Sequence, residues 1–231
     1  MALKYIAQKR HRALDWDGIL LGKDVEAYRS GRIHEKYHIS FNDLLVKYDI
    51  KASPEDVKIL VKWKKQSISD LETRYICALV LGMKAEKIFE IGTYLGDTTV
   101  NLAYNADDNA QVYTLNLSQE KSNFIVGKSI TEHQGIAHKI VQLLGDSKKF
   151  DFSPFYNQID LMFIDGNHNY DYVLNDGEKA FRCVKNGGFI VWHDFDTLHP
   201  GSSRAMIEVC KKHNLDLNRI SVTPLAITRK S

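Results

Sequence analysis

Apolar and polar positions follow two different rhythms along this chain. From residue 87 onward, short apolar bursts recur: KIFEIG, QVYTLNL, KIVQLLGD, IDLMFIDG and GGFIVWHDF. Each is short, and most are rich in β-branched or aromatic residues, so each reads as a buried strand. Stretches with helical spacing lie between them. In YDYVLNDGEKAFRCV, the residues Val173, Gly177, Ala180, Phe181 and Val184 form one stripe. The carboxyl-terminal RISVTPLAITRKS carries two short β-prone runs around Pro224, fit for a hairpin or adjacent pair.

Residues 1–68 are more polar and studded with aromatics. Within them SPEDVKILVKWKK predicts a helix, with Ser53 as cap, Pro54 at the first helical position, and Glu55 and Asp56 at the positive start. Next, SDLETRYICALVLGMK sets Ser69 and Glu72 at capping-box spacing and offers Gly82 as a stop. Strand–helix alternation over residues 69–231 defines an α/β domain with a doubly wound, mostly parallel sheet. Right-handed crossovers put every parallel strand's carboxyl end on one edge, where ligands bind near the reversal of strand order. Residues 1–68 are expected to be a helical extension serving as a lid or a subunit contact within a homodimer. FNDLLVKYDI and Trp63 supply apolar surface for either role.

Composition narrows the partners. Lys plus Arg number 31 against 29 Asp plus Glu, so net charge gives no reason to expect nucleic acid or an anionic membrane. The basic KYIAQKRHRAL near the amino end reads as a solvated helix face or tail. Cys77, Cys183 and Cys210 form no CxxC pair and read as reduced core thiols. No run approaches the roughly twenty apolar residues that cross a bilayer, and the amino end has no hydrophobic signal core, so a cytoplasmic location is expected.

The predicted strands end in Glu90, Asn116, Asp146, Asp165 and the pair His193–Asp194. Any one is an ordinary loop-starting residue; five polar ends on one edge are a pattern. Gly92 and Gly96 allow a sharp turn and close backbone approach, and Thr98 and Thr99 open a helix whose free amides face the same space. The spacing is not GxGxxG, which disfavours a nicotinamide-dependent oxidoreductase, and the GK[ST] of a phosphate loop is missing. A carboxylate before the glycines repels phosphate and favours a cationic, phosphate-free nucleoside such as S-adenosylmethionine.

FEIGTYLGDTT, VYTLNLS, LLGDSKKFDFSPF, IDLMFIDGNHNYDYVLND and VKNGGFIVWHDF together resemble a class I S-adenosylmethionine-dependent methyltransferase. More narrowly, they resemble the branch with macrolide-sugar and catechol-type O-methyltransferases. The resemblance covers residues 69–231 and implies a seven-stranded Rossmann-like sheet of order 3-2-1-4-5-7-6 with the last strand antiparallel. It implies a cofactor site of Glu90, Gly92, Thr93, Tyr94, Gly96 and Thr98 for the methionine end. The ribose falls to Asn116, and the adenine to Asp146 and Ser147, with Asp165 also at the cofactor. An acidic residue usually grips the ribose hydroxyls where this chain has Asn116; the lost charge assistance costs about 1 kcal/mol. Glu120 is a candidate substitute.

The acceptor expected from this resemblance is a small-molecule hydroxyl, of sugar or polyol type. Such a hydroxyl must lose its proton, to a histidine or through a divalent cation. The resemblance implies His168 as base beside Asp165, and Asp165 with Asp194 as ligands of Mg²⁺. A turn with a helix-starting role is the plainer reading of GNHNY. His193 should point opposite to Asp194 on a strand and reads as structural or supporting. Tyr170 reads as packing, and Asp176 and Glu178 as solvent-side charges. Two alternatives stay open: a methyltransferase of RNA or protein, and a non-catalytic cofactor-binding protein of the same fold.

Overall fold

The computed structural model describes residues 32–63 and 67–231. The basic stretch KYIAQKRHRAL lies outside the described residues. Two short elements come first: α1 (Arg32–Glu35) and β1 (His38–Ile39). Helix α2 (Phe41–Tyr48) is capped by Ser40, whose hydroxyl accepts the Asp43 amide. Helix α3 (Asp70–Gly82) starts with the expected capping box and ends at the expected glycine.

The repeating part then runs β2 (Lys87–Ile91), α4 (Asp97–Asn105), β3 (Gln111–Asn116), α5 (Lys128–Glu132), α6 (Gln134–Ala137) and β4 (Ile140–Leu144). It continues through β5 (Ile159–Ile164), α7 (Tyr170–Cys183), β6 (Val184–Trp192), α8 (Pro200–Lys212), β7 (Asn218–Ile220) and β8 (Ala226–Arg229). All five predicted internal strands form, and the two runs around Pro224 become β7 and β8.

The strands make one sheet in the order β4-β3-β2-β5-β6-β8-β7-β1. Leaving β1 aside, this is the expected 3-2-1-4-5-7-6 arrangement. Only β8 runs antiparallel to its neighbours. The eighth strand was not expected: His38–Ile39 pairs parallel to Arg219–Ile220, so the segment before residue 69 is not purely helical.

Side chains alternate across the sheet with the two-residue period of a strand. On β5, Leu161 and Phe163 join the core beneath α2, α3 and α4, while Met162 and Ile164 join the core beneath α7 and α8. Both faces are therefore buried, as near-continuous apolar strands require. Phe41, Leu44 and Leu45 of α2 pack into the first core, and Phe41 stacks on Tyr75 at 4.1 Å. That apolar surface of FNDLLVKYDI is thus used within the fold, whereas Trp63 is left more than half exposed.

The predicted helix over SPEDVKILVKWKK does not form in its described part. Ser53–Asp56 is a single turn, closed by Asp56 accepting from the Ser53 amide and hydroxyl. Beyond it the chain runs irregularly along α4. Asn101 accepts from the amides of Leu60 and Val61 and donates to the Val61 carbonyl; Asn105 exchanges two bonds with Lys58. Local signals favoured a helix, but tertiary partners satisfied the backbone without one. No described helix is long and apolar enough to cross a membrane.

Candidate active site

Strand order reverses between β3-β2 and β5-β6, and the turn after β2 fills that point. Its backbone is unusual: Gly92, Tyr94 and Gly96 have φ of 111°, 47° and 85°. A Cβ on Gly92 would lie 2.0 Å from the Asp165 carbonyl oxygen, so only glycine permits β2 and β5 to end this close together. A cavity of about 750 Å³ opens over these strand ends, within the range of sites for small molecules.

Gly92, Thr93, Tyr94 and Thr98 line its floor, Asn116, Asp146 and Ser147 one end, and Asp165, His168 and Asp194 the other. The structure thus brings together all the expected site residues except Glu90 and Gly96. Gly96 stands behind the turn, packed against Ile130, as N-cap of α4.

Glu90 is a correction with a clear physical cause. It is fully buried and does not line the cavity. Its Oε2 accepts from the Thr99 and Thr114 hydroxyls, the latter at 2.5 Å, and Thr114 is 2.7 Å from the Thr93 hydroxyl. Burial pushes its carboxyl up to about 8, against the pull of those hydroxyls. Its Oε1 has no hydrogen-bond partner among the described residues, and through Oε2 Glu90 braces the glycine turn from beneath the cavity floor.

Asn116 also braces this turn, accepting from the Tyr94 amide at 3.3 Å. Glu120 sits in a single 3-10 turn and does not line the cavity, whereas its neighbours Lys121 and Ser122 do. Phe124 packs edge-on against Tyr94 at 4.5 Å and closes this end. Below Ser147, Asp176 is buried, not solvent-side as expected. Burial pushes its carboxyl up to about 6, and Asn175 donates to it at 2.8 Å. Glu178 is partly exposed and pairs with Lys212 and His213. Tyr170 packs as expected and donates to Glu208.

The other end holds a cluster of titratable groups. His168 is half-exposed, and its Nδ1 contacts Asp194 Oδ2. This bond raises the His168 pKa above its ordinary value. Burial pushes Asp165 up to about 6, although the nearby imidazoles pull it down. Burial would raise Asp194 too, but the bond from His168 and the neighbouring His193 imidazole hold it well below the usual carboxylate range.

His193 departs from expectation. Strand alternation should turn it away from Asp194, yet both line the cavity. His193 still alternates with Trp192 and faces Glu72; the left-handed backbone of Asp194, at φ 63°, breaks the alternation there and lets both side chains reach the cavity. His193 Nε2 bonds Glu72 Oε1 at 3.2 Å. Its Nδ1 lies 2.9 Å from Asp194 Oδ1 and 3.4 Å from Asp165 Oδ1, aligned with neither as a hydrogen bond. Burial opposes its charge, but Asp194, Glu72 and Asp165 hold the imidazole up at about 11.

Sequence reasoning missed two further groups. His199 reaches within 3.4 Å of Asp194 Oδ1 and 3.0 Å of Asp196. Glu72 was legible only as a helix cap. Its Oε2 does serve Ser69, while its other oxygen reaches the active edge. Donor atoms of Asp165, His168 and Asp194 lie within 4.8 Å of one another, as do those of Asp194, Asp196 and His199.

Comparisons with known proteins agree with this geometry. A methyltransferase domain family matches residues 89–195. Caffeoyl-CoA O-methyltransferase 1 of Nicotiana tabacum is 26% identical over 197 residues, covering 75% of this chain and 77% of its own. Among solved structures, the O-methyltransferase TomG of Streptomyces achromogenes, in complex with SAM, aligns with TM-score 0.58. It is 15% identical and covers 86% of this chain and 99% of its own. The SAH-bound methyltransferase PaMTH1 of Podospora anserina aligns with TM-score 0.59 at 17% identity, over 92% and 98% of the two chains. Strand order, glycine turn and these similarities point the same way: the chain has the fold of class I S-adenosylmethionine-dependent methyltransferases, and the curated relatives it resembles are O-methyltransferases.

Proposed function

We propose that this enzyme methylates a hydroxyl of a small molecule, of sugar or polyol type, with His168 as general base. The observation that carries this reading is the contact of His168 Nδ1 with Asp194 at the cavity end beside Asp165. S-adenosylmethionine, when bound, supplies an electrophilic methyl on a sulfonium. The residues of this chain do the rest.

Gly92, Thr93, Tyr94 and Thr98 form the floor suited to its methionine end, and Asp146 and Ser147 the end suited to its adenine. Asp165 borders this floor near the reacting centre. His168 takes the acceptor's proton as the oxygen–methyl bond forms and the sulfur–methyl bond breaks, the bonding pair staying on sulfur. Asp194 orients the imidazole and stabilises the imidazolium, as a carboxylate does for a catalytic histidine. Alignment of acceptor and methyl contributes most, about 7–11 kcal/mol.

Ser67 and Ile68 line the cavity, which favours a lid over a subunit contact for the end of residues 1–68. A divalent cation at Asp165 and Asp194 belongs to the same reading. The fit to Mg²⁺ is poor, because imidazoles crowd both carboxylates and Mg²⁺ seeks oxygen ligands.

The test is methyl transfer to a panel of hydroxylated acceptors. His168→Ala should lower kcat by about a hundredfold to ten-thousandfold while S-adenosylhomocysteine still binds. An unchanged kcat in that variant removes His168 from the chemistry.

A further inference from the structure

Three residues on one face of α7, at the helical spacing i, i+3 and i+4, hold the loop that follows β4. Tyr172 donates to Asp146 Oδ2 at 3.4 Å. Asn175 donates to the Ser147 carbonyl at 3.4 Å and to Asp176 Oδ1 at 2.8 Å. Asp176, the third, is 1% exposed, and its Oδ2 makes no hydrogen bond of ordinary geometry among the described residues. That oxygen lies behind the cavity wall, where a Cβ on Gly166 would stand 3.9 Å from it. The Ser147 side chain is near enough to pull the carboxyl's pKa down against the effect of burial. Gly166, Ser147, Asp146 and Tyr172 all line the cavity. A buried carboxylate oxygen with nothing to accept is costly, and the Ser147 hydroxyl is the group placed to supply the missing bond.

Polarity decides what that bond does. A carboxylate only accepts, whereas a serine hydroxyl has one hydrogen and two lone pairs. With its hydrogen on Asp176 Oδ2, Ser147 shows only lone pairs to the cavity. The carboxylate of Asp146 beside it also accepts, and its Oδ1 already takes the Lys148 amide at 3.0 Å. Two acceptors side by side suit an exocyclic amino group, which has a hydrogen for each. They oppose an oxo group, which has none.

We propose that Asp176 sets the base specificity of the cofactor site, orienting the Ser147 hydroxyl so that this end of the cavity takes a 6-amino purine and rejects a 6-oxo purine. Asp176 does not itself line the cavity, so it is a positioning residue that acts through Ser147. The inference rests on the reading above in which Asp146 and Ser147 face the adenine.

The experiment measures, by calorimetry on the full-length protein, the affinities for S-adenosylhomocysteine and for its deaminated counterpart, S-inosylhomocysteine. Both are taken at pH 8, where the Asp176 carboxyl, pushed up to about 6, is ionised; Asp146 and Lys148 are the charged groups that face it. The wild type should favour the adenosyl form at least about a hundredfold. Asp176→Asn should cut that ratio about tenfold or more, because a carboxamide can donate to the Ser147 oxygen and turn the hydroxyl hydrogen toward the cavity. Ser147→Ala should lower the ratio by a similar factor, and adding Asp176→Asn to it should change the ratio less than about twofold.

A purely structural Asp176 would weaken both nucleosides alike, so an unchanged ratio in Asp176→Asn overturns the proposal. Effects of the two substitutions that multiply in the double variant overturn it too, as does a wild type that binds both nucleosides equally. If Asp176→Asn does not fold, Ser147→Ala decides: an unchanged ratio there also overturns it. These outcomes leave cofactor binding standing, whereas a wild type that binds neither nucleoside removes the underlying reading as well.

Discussion

Gly92 at the end of β2 and Asp165 at the end of β5 approach so closely that a Cβ on the glycine would lie 2.0 Å from the aspartate's carbonyl oxygen. Two main chains meet there, and neither can move aside as a flexible side chain would. The same contact sets Asp165 beside the glycine turn, so the proposed acceptor end and the proposed cofactor floor share one joint. Gly92→Ala also imposes a φ of 111° on a residue with a side chain. We expect a loss of at least about 2 kcal/mol of stability from this overpacking and loss of S-adenosylhomocysteine binding. Urea unfolding and calorimetry measure the two effects.

Glu90 makes stability depend on pH in an identifiable window. Its folded-state value is pushed up to about 8 from an ordinary 4.5, so the native state holds a proton that the unfolded chain releases. Stability should fall as pH rises from about 4.5 to about 8. Asp165 and Asp176, each pushed up to about 6, act in the same direction over a lower range. Glu90→Gln, a neutral near-isostere, should flatten the upper part of this dependence and leave S-adenosylhomocysteine affinity within a few fold. Urea midpoints between pH 5 and 8 decide the matter. A large loss of affinity in Glu90→Gln would restore a direct role for its charge.

The His168–Asp194 contact raises the histidine's pKa, so the free base is scarcer at neutral pH than for an isolated imidazole. The acidic limb of the kcat profile should therefore lie above pH 6.5. Asp194→Asn should lower kcat strongly and move that limb downward. A profile with no acidic limb in that region would assign proton removal elsewhere.

Asn101 tests the segment that replaced the expected helix. It accepts from the Leu60 and Val61 amides and donates to the Val61 carbonyl, at 2.9, 3.1 and 2.8 Å. Asn101→Ala leaves these partly buried groups unpaired and should cost about 2–3 kcal/mol. Hydrogen exchange at Leu60 and Val61 should accelerate at the same time. Because this strap leads toward Ser67 and Ile68 at the cavity wall, KM for the acceptor should rise more than kcat falls.

Much of this protein was legible along the chain. Ile88, Leu161 and Ile190 sit in apolar runs whose length and β-branched character suit buried strands in any setting. The Ser69–Glu72 spacing specifies a capped helix start because both partners lie within one turn. What tertiary structure decided was where individual side chains point. Glu90 was placed correctly at a strand end, but its rotamer and the hydroxyls of Thr99 and Thr114 determine that it braces rather than faces the cavity. Asp176 occupies a helix whose charged spacing looked solvent-side, and the loop carrying Ser147 covers it. The left-handed turn at Asp194 breaks the alternation so that its side chain shares the cavity with His193, and a strand pattern contains no signal for that. Glu72 meets His193 across 121 residues. Local periodicity records which elements form because its causes are local; a site assembled from strand ends and a distant helix depends on packing that no short window contains.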